Sequence, residues 1–455
     1  MADKPDISEA SLRYHQFPQP GKIETGLSKP CETQAELALA YTPGVATPCN
    51  AIHADPATVW EYTGKGNAVA VVSDGTAVLG LGNIGPDAAM PVMEGKAVLF
   101  KRFADIDATP VCLTHVFTAD GHTDTAKLIE VVATFEPTYG GINLEDIAGP
   151  ACFEVEAELK RRMGIPVFHD DQHGTAIISL AGVLNALKLV GKRVEDVRVT
   201  VNGAGAAGIA CSEFYISAGV RRENVIICDS KGVVYKGRAA GMTPQKERLA
   251  ADTRRRTLAD AIEGADVFVG LSVADCVTPA MVKRMAPRGV IFAMANPAPE
   301  IHPGEALAAG AAVVGTGRTD FPNQVNNVLG FPGIFRGALD VRARDINEAM
   351  KLAAASALVE LAGEEVPADV RAFLSKAYPA DSRNGIFDGR NPLKASYVIP
   401  KPFDPRVVPR VARKVAAAAM GSGVNRLTID DLDAYEASVA ARVRAKIEAR
   451  AAARR

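Results

Sequence analysis

Hydrophobic positions along the chain follow two patterns, short apolar runs and longer stripes with helical spacing. The apolar runs are bounded by Gly, Pro, Asn or Asp, which predicts buried strands; they include GINL, IPVF, VRVTVN, NVIICD and VFVGLS. Segments such as AKLIEVVATF and IISLAGVLNALKLV lie between these runs and have the pattern of helices. Strands that alternate with helices predict an α/β protein built on parallel sheets.

One glycine-rich stretch stands in the setting of a dinucleotide-binding fingerprint. It follows the predicted strand 197–202, precedes the helix IACSEFYISAG and is followed by the strand 224–229. Such glycines allow a tight turn, close approach of a pyrophosphate and packing of the helix on the sheet. The segment consists of Gly203, Ala204, Gly205, Ala206, Ala207 and Gly208. We therefore predict a doubly wound, Rossmann-type domain that binds a nicotinamide or flavin dinucleotide.

The residues after the second strand of this unit leave two nicotinamide cofactors open. Asp229 lies about 20 residues after Gly208, where an acidic group faces the adenosine ribose and favours the free 2′-hydroxyl of NAD. Ser230, Lys231 and Lys246 offer the alternative of binding the 2′-phosphate of NADP.

An earlier glycine pattern, Gly80, Gly82 and Gly85, has the same spacing but a different setting. Pro86 and Pro91 follow it, and we expect them to prevent the uninterrupted helix that the fingerprint requires. The pair Asp74-Gly75 between two apolar runs predicts a hairpin. These glycines are interpreted as positions of close backbone approach to a small substrate or a neighbouring strand.

Two acidic doublets follow predicted strands, Glu145-Asp146 after GINL and Asp170-Asp171 after IPVF. Carboxylates that meet in space repel each other, and a hard divalent cation with oxygen ligands removes that repulsion. The hypothesis is that Glu145, Asp146 and Asp171 hold Mg²⁺ or Mn²⁺. The alternative is that one doublet caps a helix and the other faces water.

Three further kinds of side chain are candidates for chemistry. Lys96 lies among Val, Leu and Phe, where desolvation should weaken its preference for the charged form and suit a general base; the alternative is a lysine with a solvated head. Tyr41 follows a helical segment that ends before Pro43 and either points into a cleft or packs as a half-buried side chain. Asn296, Asn326 and Asn327 lie in loops, where turn formation competes with ligand binding.

Length and composition indicate several domains in a globular protein. The 455 residues are 48% hydrophobic and carry a formal net charge of −2, which argues against a nucleic-acid-binding surface. The N-terminus has no signal-peptide pattern, and no uninterrupted apolar run approaches membrane-spanning length. The seven scattered cysteines are typical of reduced thiols in the cytoplasm. We predict an N-terminal substrate domain over 1–162, a dinucleotide domain over 163–400 and a helical C-terminal segment over 401–455, with an irregular arm at 11–32.

Taken together, these motifs resemble those of malic enzyme, especially the short bacterial type, from about Tyr14 to Tyr435. The stretches that carry the resemblance are ALAYTPGVA, SDGTAVLGLGNIG, PVMEGKAVLFKRFADID, EPTYGGINLEDI, IPVFHDDQHGTA, VNGAGAAG, CDSKGVVYKGR, ANPAPE and FPNQVNNVLGFPGIFRGALD. The resemblance implies oxidative decarboxylation of L-malate to pyruvate and CO₂ with a divalent metal. It also implies a homodimer or a higher even homo-oligomer.

The resemblance assigns roles to individual residues. It implies Tyr41 as proton donor, Lys96 as general base and Asp170 as a supporting site residue. It implies Glu145, Asp146 and Asp171 as metal ligands. Asn296 and Asn327 are implied as contacts near the substrate and the nicotinamide.

The sequence departs from the family pattern at one position and leaves other functions open. Long-form malic enzymes have an arginine for a substrate carboxylate where this chain has Ala77, so Arg102 or Arg318 is a candidate replacement. The DSKG segment and Lys246 favour NADP over NAD. A phosphotransacetylase-like domain, found in some relatives, is expected to be absent. The alternatives are a metal-dependent 2-hydroxy-acid dehydrogenase without decarboxylation and a non-catalytic dinucleotide sensor.

Overall fold

The computed structural model describes residues 7–78, 80–389 and 392–453, and the α/β class is confirmed. The strands are β1 Ala68–Ser73, β2 Asp107–Cys112, β3 Gly141–Leu144, β4 Val167–His169, β5 Val199–Asn202, β6 Val225–Asp229, β7 Gly232–Val233, β8 Val267–Gly270, β9 Val290–Ala293 and β10 Val313–Thr316. The helices are α1 Ile7–Gln16, α2 Gln34–Ala40, α3 Ala46–Ala54, α4 Val59–Tyr62, α5 Pro86–Ala104, α6 Thr125–Ala133, α7 Ala151–Arg162, α8 Asp170–Val190, α9 Ala206–Ser217, α10 Pro244–Leu249, α11 Leu258–Ile262, α12 Pro279–Lys283, α13 Pro303–Ala308, α14 Phe331–Asp340, α15 Glu348–Gly363, α16 Ala368–Ala377, α17 Pro379–Arg383, α18 Val407–Gly421 and α19 Leu432–Ala453.

The first sheet is parallel and has the strand order β2-β1-β3-β4. The hairpin predicted at Asp74-Gly75 is wrong, because β1 pairs in parallel with β2 and β3 and its chain returns through α5. The four central valine and alanine side chains of β1 are completely buried, as is typical of a strand covered on both faces. Strand β4 pairs with β3, so this sheet includes residues beyond position 162.

The second sheet has the order β10-β9-β8-β5-β6-β7, parallel except for the short antiparallel β7. The chain runs outward in one direction from β5 through β6 and in the other from β8 through β10. Ligands of doubly wound sheets bind where this direction reverses, at the carboxyl ends of the strands. Here that point is the end of β5, which is followed directly by Gly203.

Helix α5 corrects the expectation that Pro86 and Pro91 prevent a continuous helix. Pro86 occupies the first turn, where its missing N–H costs no hydrogen bond, and Pro91 lies inside the helix. Pro91 has no N–H to donate to the helix, but tertiary packing outweighs that missing hydrogen bond, because Ala89, Met93 and Phe100 bury one face of the helix. The glycines at 80–85 therefore precede a helix after all, although they follow a loop rather than a strand.

Helix α8 joins the two sheets, since it begins directly after β4 and packs against α9 of the second sheet. It begins at Asp170, so the Gly-Thr-Ala segment expected to form a turn is helical. Gly174 fits there because a side chain would lie 2.2 Å from Asp170 Oδ1. The helix is long and apolar enough to cross a membrane, but 72% of its apolar window is buried inside the protein, as in a core helix.

The two ends of the described chain differ in how they pack. Part of the segment 11–32, predicted to be irregular, belongs to α1, and neither α1 nor α2 contains a buried residue. At the other end, α18 packs on α14 and α15 through a buried apolar face. The segment 381–406 is largely irregular as predicted, with positions 390 and 391 outside the described ranges.

Candidate active site

The two acidic doublets meet at the carboxyl edge of the first sheet. Glu145 and Asp146 follow β3, and Asp170 and Asp171 form the first turn of α8 after β4. Because β3 and β4 are parallel neighbours, both doublets leave the sheet at the same edge. Carboxylate oxygens of Glu145, Asp146 and Asp171 lie within 4.8 Å of one another. The structure thus brings together the three predicted metal ligands.

Lys96 contacts this group of carboxylates from α5. Its ammonium nitrogen lies 2.8 Å from Glu145 Oε1 and 2.6 Å from Asp170 Oδ2, and 4.4 Å from the ring centre of Phe331. Burial opposes the charge of Lys96, but the two carboxylates outweigh burial and hold its pKa above the ordinary value. We expected desolvation to weaken the preference of Lys96 for its charged form. In the protein without a bound metal this is wrong, because the carboxylates of Glu145 and Asp170 lie within hydrogen-bonding distance of the ammonium group.

The electrostatics of the acidic group fit a divalent cation. Burial, together with the three neighbouring aspartates, raises the pKa of Glu145 well above its ordinary range, although Lys96 opposes the shift. Asn143, a buried amide on β3, donates to Glu145 Oε2 at 2.9 Å, and the backbone N–H of Asp146 donates to Asp171 Oδ2 at 2.7 Å. Full ionisation of four neighbouring carboxylates beside one lysine is therefore unfavourable in the chain alone, and a bound cation would remove that penalty. Such oxygen ligands suit Mg²⁺ or Mn²⁺.

Glu156 on α7 holds the segment that carries the second doublet. It is buried, accepts from the backbone N–H of His169 at 3.1 Å and pairs with His173 Nε2 at 2.8 Å. Burial opposes its charge, but His173 outweighs burial and lowers the pKa of Glu156 to about 2. Sequence reasoning missed this residue, although an acid on the buried face of a helix otherwise lined by Cys152, Val155 and Leu159 was a detectable signal.

Replacing Glu156 should change the stability of the protein in a pH-dependent way. The Glu156→Gln variant is expected to lose about 1.5–3 kcal/mol of unfolding free energy at pH 7, the range for hydrogen bonds to a charged group. Because folding lowers the pKa from 4.5 to about 2, this contribution is complete above pH 4.5 and is lost as the pH falls towards 2. Urea unfolding between pH 7 and pH 3 measures it. The exposed Glu154→Gln on the same helix is the control, and an identical pH dependence in Glu156→Gln and the parent would contradict the prediction.

The glycine fingerprint forms an open turn between β5 and α9. Gly203 has a φ of 118° and a side chain there would lie 2.3 Å from the Leu271 carbonyl oxygen, so only glycine fits. Gly208 packs against the Gly203 carbonyl, and Gly205 caps α9 with no atom within 4 Å of the position of an added Cβ. The first turn of α9 consists of Ala206, Ala207 and Gly208, after Ala204 in the loop. This open space before a helix N-terminus fits a pyrophosphate.

Asp229 ends β6, but it is not free to face a ribose. Arg238 binds both of its carboxylate oxygens, and Lys246 Nζ lies 2.7 Å from Oδ2. Burial opposes the charge of Asp229, but the hydrogen bonds from Arg238 and Lys246 outweigh it and hold its pKa well below the ordinary value. Ser230 and Lys231 follow in an exposed turn. Sequence reasoning assigned no role to Arg238, although this residue ends the quoted stretch CDSKGVVYKGR, nine residues after Asp229.

The three candidate asparagines lie at different places around the acidic group. Asn327 donates to Asp170 Oδ2 at 3.1 Å and accepts from the Thr175 hydroxyl at 3.2 Å, so it joins the acidic group. Asn296 is exposed after β9, and its backbone oxygen lies 3.1 Å from the position of a Cβ on Gly80. The early glycines thus allow the loop of the first sheet to approach the second. Asn326 forms a turn, accepting from the Val328 N–H.

Three candidate side chains lie elsewhere. Tyr41 follows α2 and is 70% exposed, so it is not enclosed with Lys96. Arg318 forms two hydrogen bonds to Asp320, two residues away. Arg102 lies 5.2 Å and 5.8 Å from the ring centres of Phe103 and Phe403. The described contacts of these two arginines are with residues outside the acidic group, so they do not support the predicted role of binding a substrate carboxylate.

Comparison with known families agrees with the two-sheet architecture. Residues 20–160 match the model of the malic enzyme N-terminal domain, and this range of the chain includes Lys96 and the first doublet. Residues 172–375 match the model of the malic enzyme NAD binding domain, and this range of the chain includes the glycine fingerprint but not Gly80–Gly85.

Individual proteins give the same result. The NADP-dependent malic enzyme of Rhizobium meliloti is 52% identical over 96% of the chain, and the NAD-dependent malic enzyme of the same organism is 52% identical over 94%. The chain spans about half the length of these relatives, 55% of the first and 54% of the second. The crystal structure of malic enzyme from Pyrococcus horikoshii is 41% identical, with a TM-score of 0.83 over 96% of each chain. The family matches cover more than half of the sequence, which confirms the resemblance: this chain belongs to the malic enzyme family.

Proposed function

We propose that this protein oxidises and decarboxylates L-malate to pyruvate and CO₂, with NADP as the preferred acceptor and Mg²⁺ or Mn²⁺ at the acidic group. The observation that carries the proposal is the buried contact of Lys96 with Glu145 and Asp170 beside the three predicted ligands. The glycine turn after β5 supplies the dinucleotide site required for hydride transfer. NAD remains an alternative acceptor.

The chemistry divides between the groups to be bound and the residues of the chain. A divalent ion held by Glu145, Asp146 and Asp171 would polarise the 2-hydroxyl of malate and favour the charge that develops as CO₂ leaves, while the nicotinamide would accept the hydride from C2. That ion would also compete with Lys96 for the charge of Glu145 and so favour the neutral amine, which removes the proton from the 2-hydroxyl as the C2–H bond breaks. Asp170 and Asn327 hold Lys96 and the acidic group in position. Tyr41 delivers a proton to C3 to complete pyruvate.

The role proposed for Tyr41 predicts a selective defect. Tyr41→Phe should slow pyruvate formation from malate by about 10²–10⁴-fold, the range for one acid–base group. The reduction of added oxaloacetate should be much less affected, because hydride transfer needs no proton at C3. Steady-state rates of the two reactions measure the difference, with the exposed Tyr62→Phe as a control. Equal losses in both reactions would remove Tyr41 from this role.

A homodimer or higher even oligomer is proposed from the surface of the N-terminal segment 7–41. Here Ile7, Leu12, Leu27 and Leu39 are 81%, 72%, 82% and 76% exposed, and such apolar surface is typical of an interface. Tyr41 lies at the end of this segment, so a second copy packed on it would enclose this side chain. Sedimentation equilibrium tests the proposal, which a monomer at micromolar concentration would contradict.

The free state of all seven cysteines supports a cytoplasmic location.

The reaction is tested by supplying L-malate and Mn²⁺ with NADP or NAD, and by assaying pyruvate at the end. One pyruvate for each reduced cofactor, dependent on metal, supports the proposal. Reduced cofactor with oxaloacetate as the final product would indicate a dehydrogenase without decarboxylation. Cofactor binding without turnover would indicate a dinucleotide sensor.

A further inference from the structure

Asp146, one of the three predicted metal ligands, has a backbone conformation that most residues avoid. Its φ is 55°, in the left-handed region that side chains other than glycine seldom occupy. Such a conformation persists only where the surrounding structure holds it. The Asp146 N–H donates to Asp171 Oδ2 at 2.7 Å, but this bond joins two predicted ligands and does not tie them to the sheet. The support on the carbonyl side of Asp146 comes from another part of the chain.

That support is the segment 74–77, which follows β1. Since β1 and β3 are parallel neighbours, the segments after the two strands leave the sheet side by side. The Ala77 N–H donates to the Asp146 carbonyl oxygen at 2.9 Å, and the Ala148 N–H donates to the Thr76 hydroxyl oxygen at 2.9 Å. Two adjacent residues of one turn therefore hold the backbone directly after the ligand.

A buried carboxylate fixes the direction of the Thr76 hydroxyl. Asp74 is completely buried, and its Oδ1 accepts from the Thr76 hydroxyl at 2.7 Å and from the Thr76 N–H at 3.1 Å. Its Oδ2 accepts from the Thr123 hydroxyl at 2.6 Å. Because the Ala148 N–H can only donate, the Thr76 hydroxyl accepts there and gives its proton to Asp74. The segment after β1 is thus held in one hydrogen-bonding arrangement.

We propose that Thr76 is a positioning residue of the metal site: its hydroxyl, oriented by Asp74, holds the backbone so that the Asp146 carboxylate meets those of the other two predicted ligands. The inference rests on the proposed binding of a divalent metal at this acidic group. It differs from a purely structural role, in which Thr76 would stabilise the first sheet without affecting metal affinity.

The test measures Mn²⁺ binding to the full-length protein by electron paramagnetic resonance of free Mn²⁺. Thr76→Val keeps the shape of the side chain but removes the hydroxyl, so the dissociation constant should rise about 10–100-fold, the range for loss of an outer-shell partner. Thr76→Ser keeps the hydroxyl and should bind Mn²⁺ as the parent protein does. Urea unfolding of each variant without metal gives the accompanying change in stability.

Thr200→Val is the matched control for a loss of stability alone. Thr200 is a buried threonine of β5, in the second sheet, and its hydroxyl donates to the Ala261 carbonyl oxygen at 2.8 Å. Its replacement should also lower the free energy of unfolding, because a buried hydrogen bond is lost. Its Mn²⁺ affinity should equal that of the parent protein.

Unchanged Mn²⁺ affinity in folded Thr76→Val, an equal loss in Thr76→Ser, or an equal loss in Thr200→Val would overturn the inference. If Thr76→Val does not fold, Thr123→Val decides, because it removes the donor that holds Oδ2 of Asp74. Weaker Mn²⁺ binding by Thr123→Val would then support the inference, and unchanged binding would overturn it. A parent protein that binds no Mn²⁺ would overturn the proposed metal site as well, whereas binding that Thr76→Val retains would overturn only the role of Thr76.

Discussion

Lys96→Ala should lower kcat for malate oxidation by about 10²–10⁴-fold, the range for loss of one acid–base group. Lys96 contacts Glu145 and Asp170 directly, and its side chain is only 9% exposed, so bulk water has little access to take over the proton transfer. The measurement is steady-state turnover with saturating Mn²⁺, NADP and malate. Oxaloacetate reduction should fall as well, because the same proton is returned in the reverse step.

The control for Lys96→Ala lies on the same helix. Lys101 is half-buried and pairs with the buried Asp105 and the exposed Asp107, and none of its described ion pairs involves the doublets, so Lys101→Ala should retain near-normal turnover. Mn²⁺ binding by Lys96→Ala should persist, because its three ligands remain. Near-normal turnover of Lys96→Ala would remove this residue from the base role.

Asp171→Asn should weaken Mn²⁺ binding by at least about 100-fold, since loss of an outer-shell partner already costs 10–100-fold in metal sites. The substitution removes one negative charge from the three predicted ligands while it keeps the size of the side chain. Asp171 is 36% exposed, and the amide oxygen of an asparagine can still accept from the Asp146 backbone N–H. Electron paramagnetic resonance of free Mn²⁺ gives the dissociation constant directly, and turnover at increasing Mn²⁺ should recover in part.

Asp120→Asn serves as the matched control for Asp171→Asn. Its carboxylate is 72% exposed and binds the Thr118 hydroxyl within a turn, so Mn²⁺ affinity should not change. Unchanged affinity in Asp171→Asn would show that this carboxylate is not a ligand. Aspartates that cap or face water would then explain the doublet, as the alternative interpretation of the sequence has it.

Only the tertiary structure decided how individual polar groups are paired. The sequence places Lys96 among apolar residues but cannot show that two carboxylates, one directly after β3 and one in α8, lie within 3 Å of it. It identifies Asp229 by spacing but does not indicate that Arg238 occupies it. Pro91 within α5 was likewise misjudged, because the packing that outweighs a helix-breaking residue comes from distant parts of the chain.

What the sequence by itself determined was the type of most elements, the glycine turn after β5 and the strand ends at which Glu145, Asp146, Asp170 and Asp171 lie. These depend on local periodicity and on residue types with narrow backbone preferences, which neighbouring positions are sufficient to express. The protonation of a side chain, its ion pairs and its exposure to water depend on residues far apart in sequence, such as Lys96 and Asp170. Electrostatic energy varies with distance and burial, and the fold alone sets both.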